Sequence, residues 1–115
     1  MIMDSAKQNG YSLIFTVVNR GFSDDVMDAA RSAGAHGGTI LHARGSGVHE
    51  AEKFFGISIQ PEKEVVLILV QQQLKQPIMQ AICEKAGLNT QGKGLSFAVP
   101  VEEVAGIVHL MKHQE

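Results

Sequence analysis

Three features of this 115-residue sequence predict an α+β chain. Two runs of aromatic and β-branched residues, Tyr11–Val18 (YSLIFTVV) and Glu64–Val70 (EVVLILV), are too short for buried helices and read as strands. Each is followed by a stretch with apolar residues at helical spacing that ends at a glycine. Two further strands, Thr39–Arg44 and Leu95–Val99, open beside the glycine-rich corners Gly37–Gly47 and Gly87–Phe97. In chain order the elements read strand, helix, strand, loop, strand, helix, strand. That is the split βαβ (βαββαβ) pattern of a ferredoxin-like fold, an antiparallel sheet with its helices on one face.

Strand one breaks at Asn19-Arg20-Gly21. Ser23 then has the chemistry of a helix N-cap, Asp24 and Asp25 suit the positive end of the helix dipole, and Phe22 with Met27 sits at the spacing of a hydrophobic staple. Val26, Ala30 and Ala33 form the apolar stripe, and Gly34 ends the helix. A loop without clear periodicity runs from Gly45 to Phe55, and Glu64–Val70 has the uninterrupted apolar character of a central strand covered on both faces. The second helix spans Gln72–Ala86, with Leu74, Ile78 and Ile82 inward, Pro77 placing its regular part from about Gln76, and Gly87 at its end. Val101, Val104, Val108 and Met111 stand at helical spacing and predict a short C-terminal helix.

The length predicts a single domain over 1–115, with 1–10 frayed, and a core that needs no disulfide or metal staple. Ten Lys and Arg against 12 Asp and Glu give a net charge of -2, and no basic run exceeds one residue. A nucleic-acid partner is therefore not expected. The single cysteine, Cys83, cannot form an internal disulfide and reads as a core filler among Ile78, Met79, Ile82 and Ala86. No apolar run is long enough to span a bilayer, and the N-terminus has no basic cluster, so a soluble, cytoplasmic protein is expected. Strands one and three are apolar at successive positions although helices cover only one face of such a sheet. The second face must also leave water, which predicts an oligomer joined through open sheet faces, closing into a small ring such as a trimer.

The blocks GGTILHARGSG, FFGISIQPEKEVVLILV and GLNTQGKGLSFAVPVEEVAG, in this order and spacing, resemble the P-II nitrogen-regulatory family, in particular its shorter, divergent members. The similarity runs from Tyr11 to about Val108. The resemblance implies a homotrimer of ferredoxin-like subunits that binds an adenine nucleotide, ATP, ADP or AMP, between subunits without an obligatory cofactor. It also implies a regulatory loop, 45–55 here, that docks onto a transporter or enzyme, with membrane contact only through that partner. Such proteins report nitrogen, carbon or energy status, with 2-oxoglutarate or bicarbonate among candidate effectors, and they are not enzymes. Carried over by residue, Gly37, Gly38 and Thr39 match the family's nucleotide-facing start of strand two. Gly92, Lys93 and Gly94 match its phosphate-binding turn, where backbone N–H groups and a lysine point charge would meet phosphate oxygens. The loop contributes Arg44, Gly45, His49, Glu50, Glu52, Lys53, Phe54 and Phe55 as the partner-binding set.

Three departures stand out. The loop is short and the only tyrosine is Tyr11 in strand one, so tyrosine uridylylation is not expected. The family's lysine after the proline before strand three is replaced by Glu62, with Lys63 one residue later, on the opposite side of an extended segment. The paired C-terminal arginines are missing, which removes charge for a triphosphate.

Other chemistry is sparser. His36 and His42 share parity, His49 lies near Glu50 and Glu52, and His109 and His113 stand four apart. Imidazole with carboxylate can ligate a divalent metal, and a trimeric metal-binding tolerance protein of the same architecture is the alternative reading. Asp24, Asp25, Glu62 and Glu64 make no recognisable catalytic pair, the first two reading as helix-end residues and the latter two flanking a strand. A phosphoester or acyl-phosphate hydrolase would need a positioned Arg with Asn, and Asn19 with Arg20 lies too close to the strand-one turn for that role.

Overall fold

The computed structural model describes residues 10–46, 52–54, 57–59 and 61–106. Strand β1 is Tyr11–Asn19, helix α1 Ser23–Ser32 and strand β2 Thr39–Arg44. Two short strands follow, β3 (Glu52–Phe54) and β4 (Ile57–Ile59), then β5 (Glu62–Gln71), a 3-10 turn at Gln72–Leu74, α2 (Lys75–Lys85) and β6 (Gly94–Val101). The main sheet has the order β2-β5-β1-β6 with every neighbouring pair antiparallel. Each helix thus joins two strands that run in the same direction with one strand between them, the ferredoxin-like arrangement read from the sequence.

Alternation along the strands decides what each face carries. On the helix side Ile14, Val18, Val66, Ile68 and Val70 meet Val26, Ala29 and Ala30 of α1 and Ile78 and Ile82 of α2, all exposed by 3% or less. On the other side the register aligns Leu13, Phe15 and Val17 of β1 with Val65, Leu67 and Leu69 of β5 and with Leu95, Phe97 and Val99 of β6. Phe15 and Phe97 stack at 4.9 Å between centroids and 5° between planes. Leu41, Leu95, Phe97 and Val99 are 48%, 54%, 44% and 38% exposed. An apolar face extends across all four strands with no element of the described chain over it.

Several local expectations change. Ser23 is the first helical residue rather than the N-cap, which is Phe22 and makes no side-chain capping bond. Phe22 therefore does not stand one position before the cap, as a staple requires. The capping group comes from across the sheet instead: Glu64 Oε1 accepts the N–H groups of Gly21 (3.0 Å) and Ser23 (3.2 Å). At the other end Gly34, at φ +114°, donates to Arg31 O and Ala35 donates to Ala30 O, the paired bonds of a Schellman stop.

The segment 45–55 is not wholly loop, because Glu52–Phe54 pairs with Ile57–Ile59 as an antiparallel ribbon. Helix α2 begins at Lys75, and Pro77 is its third residue, where an N–H would find no intrahelical acceptor. Cys83 is half-buried rather than a core filler. Ile78 and Ile82 already occupy the stripe facing the sheet, and the Cys83 thiol donates to Asn89 Oδ1 at 3.1 Å. The expected C-terminal helix does not start at Val101, which pairs with Tyr11 as the last residue of β6, and residues 102–106 are not helical. Val108, Met111 and residues 1–9 lie outside the described residues.

Candidate functional site

One end of the main sheet gathers four strand ends. Register places Asn19 beside Lys63, Arg44 beside Glu62 and Val18 beside Gly94, so β1 and β2 finish where β5 and β6 begin. Between them lies a recess of about 350 Å³ lined by Arg20, His42, Ala43, Arg44, Glu62 and Lys63. Its charges are partly paired. The Arg20 guanidinium meets the Glu62 carboxylate, and Lys63 Nζ donates to Asn19 Oδ1 at 2.6 Å. Arg44 is exposed and makes no ion pair or side-chain hydrogen bond among the described residues.

Glu64, 8% exposed, backs this recess. The Ser23 hydroxyl hydrogen bond, helped by the N–H groups of Gly21 and Ser23, holds its carboxyl below the ordinary value of 4.5 against the upward push of burial. His42 Nδ1 stands 3.8 Å from the same carboxylate, with its imidazole 81% exposed. The carboxylate therefore serves the start of α1 first and the recess second.

Beside the recess, the turn at the start of β6 presses against β1. A Cβ on Gly94 would lie 2.2 Å from the carbonyl oxygen of Val17, and its φ of +136° is one that other residues rarely adopt. The Lys93 N–H donates to Thr90 O at 3.2 Å and the Gly92 carbonyl accepts from Asn19 Nδ2 at 3.0 Å. The Lys93 ammonium rests 5.3 Å from the centre of the Phe22 ring, which is 43% exposed. Across the recess the chain leaves the sheet after Arg44 and returns at Glu62, closed at its root by the Gly45 N–H bonded to Pro61 O at 3.2 Å.

Comparison with known proteins agrees with the fold. A profile of the family described as nitrogen regulatory protein P-II matches residues 11–109. The chain belongs to the P-II family. Among solved structures, Arabidopsis thaliana PII bound to citrate aligns with a TM-score of 0.68 at 22% identity, over 86% of this chain and 84% of that one. The Bacillus subtilis GlnK–ATP complex aligns with a TM-score of 0.68 at 14% identity, over 86% and 88%. None of the curated proteins compared matches the chain. P-II proteins are regulatory and bind small effectors, and this member shares their fold.

In this P-II chain the residues expected to meet a nucleotide fall in two places. Gly92, Lys93 and Gly94 stand at the same end of the sheet as the recess and are linked to it through Asn19, which donates to the Gly92 carbonyl and accepts from Lys63. Gly37, Gly38 and Thr39 lie at the far end of β2, with Thr39 opposite Leu67, five strand positions or about 17 Å from Arg44. Within the chain the two glycine sets do not come together. Gly38 also has a packing duty, since a Cβ there would lie 2.8 Å from Leu67 O and 3.0 Å from Met27 Sδ. Of the partner-binding set, Arg44 and Gly45 border the recess, and Glu52, Lys53 and Phe54 form β3. His49, Glu50 and Phe55 fall outside the described residues.

Among the described residues no three of His, Cys, Asp and Glu come together as a metal site, while His49, Glu50, His109 and His113 lie outside them. No helix among those residues is long and apolar enough to cross a membrane. Asn19 and Arg20 are not set out as a hydrolase pair, each being engaged with a neighbour, Lys63 and Gly92 for one and Glu62 for the other. The reading from sequence missed Asn19, Lys63 and Glu64 as participants. The signal was present in Glu62-Lys63-Glu64, three adjacent charges opening a central strand that is apolar from Val65 to Val70; a fold buries such charges, here Lys63 and Glu64, only with partners.

Proposed function

We propose that this P-II protein is a homotrimeric regulator that binds an adenine nucleotide between subunits and controls a transporter or enzyme through its loop, 45–55, in nitrogen or carbon regulation, from the cytoplasm. It is not an enzyme. The observation that supports this reading is that the Gly92–Gly94 turn with its lysine and the root of the segment that would contact the partner share one sheet end and are linked through Asn19 and Lys63. A nucleotide phosphate at the turn draws Lys93 from its rest position over Phe22, where a cation and an exposed ring interact weakly. Phosphate charge at the turn then also faces the Asn19–Lys63 side of the recess. The uncovered apolar sheet face supplies the contact between subunits, and Gly37–Thr39 of the adjoining subunit completes the nucleotide cleft. The ligand acts only insofar as it prefers one conformation of the segment to another.

The expected result is a saturable rise in melting temperature with ATP, ADP or AMP, tested with and without 2-oxoglutarate. At a hundredfold excess over Kd it corresponds to about 2.7 kcal/mol of stabilisation. Lys93→Ala should abolish most of it. No rise with any nucleotide overturns the reading, and a rise with divalent cations alone transfers support to a metal-binding protein.

A further inference from the structure

The side-chain amide of Asn19 is used at both ends. Its Oδ1 accepts from Lys63 Nζ at 2.6 Å, and its Nδ2 donates to the Gly92 carbonyl at 3.0 Å. An ammonium has donors and no acceptor, so it meets only the oxygen end of the amide. The nitrogen end is then left facing Gly92, whose carbonyl can only accept. Lys63 thereby selects the orientation in which Asn19 holds the turn. The N–H of the same Gly92–Lys93 peptide is bonded to Thr90 O, so that peptide is pinned on both sides. On the opposite flank Lys63 is 8% exposed and follows Pro61 and Glu62, whose carbonyls accept from Gly45 N and Arg20 N, both at 3.2 Å. Segment 45–61 rejoins the sheet within two residues of Lys63.

We infer that Asn19 is a positioning residue that couples Lys63, at the root of segment 45–61, to the Gly92–Lys93 turn. Its regulatory meaning rests on the effector-binding reading above, whereas the coupling belongs to the ligand-free chain. An anion in the recess that draws the Lys63 ammonium away frees the amide to rotate, and the hold on Gly92 weakens. A phosphate that rearranges the turn takes away the other partner and loosens Lys63. The effect is reciprocal, as any equilibrium coupling must be.

The test is a double-mutant cycle on ligand-free protein, read by amide hydrogen exchange at Lys93 and Gly94. Lys63→Met is expected to speed exchange there about fivefold, the factor for one net hydrogen bond, and to have no such effect in an Asn19→Ala background. Asn19→Asp keeps an acceptor for Lys63 but turns an oxygen toward the Gly92 carbonyl, so it is expected to speed exchange with Lys63 in place. Exchange in the β5 core stays at the wild-type rate in each case, which separates local release from general loosening. An equal effect of Lys63→Met in both backgrounds, or wild-type exchange in Asn19→Asp, overturns the coupling. An ATP titration keeps the two ideas apart: coupled exchange without an ATP shift sinks the effector reading alone, and an ATP shift with additive exchange sinks the relay alone.

Discussion

Glu64 shows how one side chain can be placed by the sheet and used by a helix. It stands on β5 opposite Val18, and from there its carboxylate accepts the N–H of Gly21, just before α1, and of Ser23, the first residue of α1. The helix therefore begins at Ser23 without a local cap. Glu64→Gln keeps the shape but removes a charge-assisted acceptor at the positive end of the helix, and a loss of about 1–3 kcal/mol is expected in chemical denaturation. The pH dependence follows from the lowered pKa. Because the folded value lies below the ordinary 4.5, the stabilisation is complete above about that pH and disappears as pH falls through the lower folded value. Melting curves between about pH 3 and 7 should show wild type losing this increment in the acid range, while Glu64→Gln lacks it throughout. An unchanged acid slope in the variant would refute the capping role.

At the scale of elements, the neighbouring glycines before β2 differ in kind. Gly37 has open space where a Cβ would project, whereas Gly38 is pressed between the β5 backbone and Met27 of α1. Gly37→Ala is accordingly expected to change stability by less than about 1 kcal/mol, and Gly38→Ala to destabilise by about 1–3 kcal/mol through overpacking. Equal effects in urea melts would show that α1 can withdraw from the sheet edge without penalty. The sequence marked both glycines alike, because a motif records that a side chain is missing and not what presses on the gap. The strands and helices were legible for a different reason. β2 was read at its observed limits, and β1, β5 and α2 within a few residues, since period and glycine stops are local properties. The Glu52–Phe54 ribbon and the end of β6 at Val101 were not, since each depends on a partner strand.

At the scale of the whole molecule, the surface to account for is the apolar sheet face that no described element covers. Phe97 lies midway along the edge strand β6, stacked on Phe15 of β1 and 44% exposed. In the proposed trimer, sedimentation should report three times the chain mass of 12.4 kDa, and Phe97→Glu should shift it toward one. Glu102→Lys, an exposed change beyond the strand, serves as the control and should leave the mass unchanged. A Phe97→Glu protein that stays trimeric would place the subunit contact elsewhere.

The amino-acid order by itself determined the split βαβ topology, the central place of β5, the two-sided apolar sheet and the family, because these rest on short-range periodicity and on motif spacing. The glycine turn with Lys93 was likewise visible as a motif. Only the tertiary structure decided what that turn touches: Asn19 and Phe22 come from the far side of the chain, and Lys63, Glu64 and Arg20 become a site when antiparallel register brings four strand ends together. The physical reason is that an ion pair or a shared amide has no sequence period. Its partners are chosen by sheet register, which a hydrophobic pattern sets through the core and not through the groups at the sheet's end.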